Sequence, residues 1–93
     1  MTEIEKIRKR TRENWKNKMR NGYKKFMNAI KLEISYATEN SITYVADSEY
    51  RFATWLVMKK LERKGYKCDL KKGDWINSIF ADDRLYINWE KSE

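Results

Sequence analysis

Ninety-three residues, 41% hydrophobic and 14% aromatic, hold enough apolar material for one modest core, which excludes a multidomain enzyme and argues against a disordered chain. A net charge of +7 points to anionic partners, and the absence of histidine removes the commonest general base and the commonest metal ligand. The single cysteine can form no internal disulfide and fits a reducing compartment.

The first third reads as one long basic amphipathic helix, Thr2 to about Ala37. Thr2 followed three residues later by Glu5 is a capping-box pattern, in which hydroxyl and carboxylate satisfy orphan backbone donors. Ile4, Ile7, Thr11, Trp15, Met19, Tyr23, Phe26, Ile30, Ile34 and Ala37 follow at steps of three or four, a helical period. One position further along each step runs a cationic row, Arg8, Arg12, Lys16, Arg20 and Lys24, which borders the apolar stripe because each residue turns about 100°. Residues 1–31 carry eleven Lys and Arg against three Glu, so the first third holds +8 and the remainder −1. Asn21-Gly22 leaves two readings open, a continuous rod or a kink at the glycine.

Downstream, Ser41 to Ala46 is rich in β-branched and aromatic residues and predicts a strand. Asp47 or Ser48 can cap a second helix from about Glu49 to Lys64, with Phe52, Ala53, Leu56, Val57 and Leu61 on one face, widened by Trp55 and Met58. Gly65 stands where a left-handed helix terminator belongs. Tyr66, Cys68 and Leu70 then alternate with Lys67 and Asp69, and Lys71-Lys72-Gly73-Asp74 supplies a turn. Trp75 to Phe80 fits either a strand or a packed loop. Arg84 to Trp89 predicts a last strand with Leu85, Ile87 and Trp89 on one side, before a frayed tail from Glu90 to Glu93.

The fold class expected is therefore α+β in a single domain, 1–93. A basic helix, 1–38, precedes a β-α-β-β body, 41–89, whose small sheet is mostly antiparallel. A continuous first helix would be about 54 Å long, whereas a fifty-residue body is only about 25 Å across. The body is too short to cover the stripe. The unsheltered part must bend back at Asn21-Gly22 or be buried against a second copy, and the unbroken register of the stripe favours a homo-oligomer through the first helix.

No reaction-defining motif stands in the chain. Three glycines cannot build a phosphate loop, and one cysteine cannot build a zinc site. Asp69, Asp74, Asp82 and Asp83 could gather around Mg²⁺, although turn formation is the commoner role of such residues. Cys68 has no visible activating base and reads as a small core residue. The expectation is a non-enzymatic binder without cofactor, catalytic residue or membrane segment. No charged start with an apolar stretch marks a leader, so the expected compartment is the cytoplasm.

The positive signal is cations interleaved with aromatics. Arg8, Arg12, Lys16, Arg20 and Lys24 would meet the phosphates of a nucleic acid or nucleotide, and Tyr44, Trp75 and Tyr86 would stack on bases. Trp15, Trp55 and Trp89 fall on apolar faces and read as core or interface. The alternative is an inhibitor whose basic helix docks on an acidic host protein.

The helix end Leu61-Glu62-Arg63-Lys64-Gly65-Tyr66-Lys67-Cys68 and the closing strand Leu85-Tyr86-Ile87-Asn88-Trp89 resemble small accessory proteins of bacteriophages. The resemblance covers about the last forty residues. It implies a stoichiometric host-takeover or anti-defence protein that occupies a nucleic acid, sequesters a nucleotide signal or blocks a host protein in the host cytoplasm. No site residue is carried over by it.

Overall fold

The computed structural model describes residues 2–73, 75–76, 79–80 and 82–90, those from 75 to 80 by backbone alone. Asp74 and the tail 91–93 lie outside that set. The chain forms a helix α1, Glu3–Tyr36, a strand β1, Ser41–Ala46, a 3₁₀ turn, Ser48–Tyr50, and a helix α2, Arg51–Arg63. The strands β2, Lys67–Lys71, β3, Trp75–Ile76, β4, Ile79–Phe80, and β5, Asp83–Asn88, complete it. This is the α+β arrangement expected, with a long helix and a small antiparallel sheet.

β5 lies at the centre of a three-stranded sheet of order β1-β5-β2 and pairs antiparallel with both neighbours. The register places Ala46 opposite Asp83, Tyr44 opposite Leu85 and Leu70 opposite Leu85. Alternation then decides the faces. Ala46, Leu85 and Ile87 are buried, with Ile42, Tyr44, Cys68 and Leu70 packed beside them. Against this side lie Met19, Phe26, Met27 and Ile30 of α1 and Ala53, Val57 and Leu61 of α2, so both helices cover one face of the sheet. β3 and β4 pair antiparallel with each other, apart from the three-stranded sheet, so the described backbone of Trp75–Ile76 and Ile79–Phe80 forms two short strands where the sequence left one strand or a packed loop open.

α1 is continuous for 34 residues and ends one residue short of the expected boundary. The Thr2 hydroxyl accepts the Glu5 N–H at 3.2 Å, which fixes its start. Gly22 is helical and buried, and its role is close approach: a Cβ built there would lie 2.6 Å from a ring carbon of Tyr50. The kink is therefore absent. The glycine instead seats Tyr50, whose ring also meets Phe26 edge-on at 5.6 Å.

α2 starts later than the sequence suggests. Asp47 accepts the Glu49 N–H and caps the 3₁₀ turn, from which the α-helix proper begins at Arg51. Its end follows expectation, since Gly65 has φ +99° and the Gly65 and Tyr66 N–H groups return to the carbonyls of Glu62 and Leu61.

A buried carboxylate ties α2, β5 and the loop after β2 together. The Asp83 carboxylate, fully buried at the start of β5, accepts from Arg51 Nε at 2.8 Å, from a terminal Arg51 nitrogen at 2.9 Å and from the Gly73 N–H at 2.8 Å. The Arg51 guanidinium, followed by the Gly73 amide, holds the carboxyl below its ordinary range against the opposing effect of burial. Both oxygens are thereby occupied, and Asp69 faces away on the other side of the sheet. The described carboxylates do not gather into the Mg²⁺ cluster considered above.

Two outcomes follow. Gly22→Ala is expected to lower the melting temperature, because displacement of the Tyr50 ring outweighs the gain of about 1 kcal/mol that alanine brings to an open helix. For Asp83, a depressed native pKa means that its stabilisation is complete above the unfolded value, about 3.9, and fades as pH falls through the native one. Asp83→Asn should lower stability at neutral pH by roughly 2–3 kcal/mol, given that Arg51 is partly exposed, and flatten the acid limb of melting temperature against pH.

Candidate functional site

The apolar stripe of α1 divides at Met19. From there onward it is buried or half-buried on the body, but every described residue before Met19 is exposed, including Ile4 at 63%, Ile7 at 56% and Trp15 at 46%. The helix projects beyond its platform. The molecule accordingly measures 59 × 34 × 22 Å.

Where the projecting part leaves the body, α1 and α2 diverge around an open groove of about 560 Å³. Its floor is aromatic and aliphatic: Trp15, Met19 and Tyr23 from α1, Phe52, Trp55 and Leu56 from α2. The Trp15 and Phe52 rings lie 5.3 Å apart, and Phe52 stacks on Trp55 at 6.0 Å, with 22° between planes. Of the two roles expected for Trp15 and Trp55, core or interface, the core is excluded, since Trp15 and Trp55 are 46% and 41% exposed, and Phe52 between them is 45% exposed. α2 instead turns Ala53, Thr54, Val57 and Leu61 inward, leaving the aromatic edge of its apolar face at the groove. Trp89 is half-buried and meets Tyr66 edge-on at 6.0 Å.

The rim is cationic. Lys16 and Arg20 stand on the α1 side and Lys59, Lys60 and Arg63 on the α2 side. A second groove of about 380 Å³ shares Tyr23 and Lys60 with the first and adds Lys24, Lys31 and Lys64. Among the described residues, no aspartate or glutamate lines either groove. Lys59 lies over the Trp55 ring at 5.6 Å and 3.8 Å from Glu62, which shows how a rim cation can rest on the aromatic floor.

The expected ligand residues are only partly brought together. Lys16, Arg20 and Lys24 line the two grooves, whereas Arg8 and Arg12 lie on the projecting helix away from both. Tyr44 points towards the helices and packs on Phe26 at 5.6 Å, and burial raises its phenol pKa. Tyr86 lies on the opposite face of the sheet, where Lys71 Nζ sits 5.4 Å from its centroid. The Trp75 side chain lies outside the described residues. The rings that accompany the cations are instead Trp15, Tyr23, Phe52 and Trp55. Phe52, Leu56 and Lys60 follow one another at steps of four, as do Trp55, Lys59 and Arg63, a signal available in α2 had its cations been read with its aromatics.

Cys68 sits half-buried on the helix-facing side of β2, and burial, with Glu62 nearby, pushes its thiol up to about 11. A protonated thiol is a poor nucleophile. No helix among the described residues is long and apolar enough to cross a membrane. The chain matches no protein-family model, and comparison with curated proteins and with solved structures found no match. The site's chemistry therefore rests on its geometry.

The thiol provides a direct check of this packing. At pH 7.5, iodoacetamide should alkylate Cys68 at least tenfold more slowly in the native protein than in urea, because both thiolate fraction and access are reduced.

Proposed function

We propose that this chain is a non-enzymatic binding protein that takes phosphate-bearing ligands, nucleic acid or a nucleotide, into the groove between α1 and α2. The observation that carries this reading is the composition of the two adjoining grooves, where eight lysines and arginines line the walls beside aromatic rings and, among the described residues, no carboxylate is part of the lining. Lys and Arg neutralise phosphates with release of counterions. Exposed rings offer flat faces to bases and remain sequence-tolerant, since every base has a π-face. The combination matches single-stranded nucleic acid better than a duplex, whose bases are already stacked. It also accords with the phage-type resemblance, which implies a protein acting by occupancy in a host cytoplasm.

A second reading has an acidic host protein laying an amphipathic helix into the same groove. The open apolar floor between two helices is the feature that favours it. The two differ in salt response and in competition.

Fluorescence anisotropy with a labelled single-stranded 20-mer should show binding that weakens with salt, with a logarithmic slope near −3 for about four phosphate contacts. Arg20→Glu with Lys60→Glu should reduce affinity more than tenfold while leaving the circular dichroism spectrum and melting temperature near those of the parent. Trp15 and Trp55 emission should be quenched on binding. A 20-mer that fails to bind at low ionic strength would eliminate the nucleic-acid reading.

A further inference from the structure

We propose that two copies of this chain pair antiparallel through the projecting halves of α1, around a two-fold axis near Arg8–Arg10, and so join their cationic grooves into one surface. The stripe keeps its helical register from Ile4 through Ile7, Thr11 and Trp15 to Met19, but the body covers it only from Met19 onward. Residues 3–18 span about 24 Å of helix, and the contacts described between them and the body lie at the end nearest it: Trp15 meets Phe52, and Lys18 meets Glu49 and the Tyr50 ring. Exposed Ile4, Ile7 and Trp15 in one row form a seam that calls for a partner of the same periodicity.

A second copy meets that requirement. With the helices antiparallel, Ile4 lies against the partner's Trp15, Ile7 against the partner's Thr11, and each contact occurs twice. The charges agree. In an antiparallel pair like flanks meet, and the flank beside the stripe carries Glu5 at one end and Arg12 and Lys16 at the other. Glu5 of each chain therefore faces the basic end of the other.

The pairing also gives Arg8 and Arg12 a place in function. Lys16 and Arg20, the α1 side of the groove's cationic rim, lie on the flank that carries Arg8 and Arg12, so both grooves open on one side of the pair. The arginines of both chains then lie between the two grooves. Their mutual repulsion near the axis weakens the pair, and each chain brings only three large apolar side chains, Ile4, Ile7 and Trp15, to the seam. Association should depend on concentration and strengthen on a polyanion that crosses the axis. This last consequence rests on the groove reading, whereas the pairing itself does not.

Sedimentation equilibrium of the full chain from about 5 to 500 µM tests the pairing. The expected mass rises from one chain towards two, and Ile4→Lys with Ile7→Lys holds it at one chain while circular dichroism is unchanged. Glu5→Arg should weaken association several-fold, and adding Arg12→Glu and Lys16→Glu should restore it. A monomer throughout the range, or a dimer indifferent to Ile4→Lys and Ile7→Lys, overturns the proposal, and failure of the charge exchange to restore association overturns its antiparallel sense. A dimer that ignores the labelled 20-mer removes only the groove reading, and a monomer that binds it removes only the pairing.

Discussion

The structure depends on a mismatch of lengths. A 34-residue helix is about 51 Å long, whereas strands of five or six residues make a platform only about 20 Å deep. One periodic stripe runs along the helix, but Ile30 is fully buried and Ile4 is exposed. The difference owes nothing to local sequence. It arises because the sheet ends before the helix does, and the groove, the exposed rings and the projecting arginines are all consequences of that end.

Two sets of close contacts hold the helices in position, one on α1 and one on α2. Gly22 brings α1 up to the Tyr50 ring, and Lys18 Nζ reaches Glu49 at 3.1 Å and lies 5.0 Å from the same ring. The second set is polar: Asp83 fastens the first residue of α2 to the first residue of β5 and to the Gly73 amide. With α2 anchored at this end, its aromatic edge is directed towards Trp15 instead of into the core. The structural pins therefore also set the groove's shape, although no pin residue supplies a rim cation.

Much of the fold was legible because it is written in local rules. Thr2 accepts from Glu5 as the capping pattern requires, Gly65 takes the left-handed conformation, and strand alternation correctly faces Leu85 and Ile87 inward. The site was less legible. Tyr44 shares parity with Ile42 and Ala46, which alone turns it towards the helices, and Tyr86 has the opposite parity to Leu85 and Ile87. Alternation along those strands thus contained the reason that neither tyrosine joins the cations of α1. Phe52 and Trp55 were harder, because a wide apolar face does not reveal which edge the neighbouring helix covers. That depends on how α2 crosses α1, a tertiary quantity fixed partly by Gly22 and Asp83.

The like-charged rim is the feature that local stability does not explain. Cations brought together by two helices repel one another, weakly in water but more strongly beside an apolar floor where the dielectric constant is lower. Solubility alone asks only that Lys and Arg be spread among acids, as they are over residues 32–93, where the two signs nearly balance. Along α1 and the facing side of α2 the acids are instead turned away from the grooves: Glu49 binds Lys18 at the 3₁₀ turn, and Glu62 approaches Lys59 from outside the lining. A face that concentrates one sign of charge above exposed indole and phenyl rings carries a cost in the free protein. An anionic ligand with flat apolar parts would offset both components of that cost, supplying the missing counter-charge and covering the rings in a single binding event.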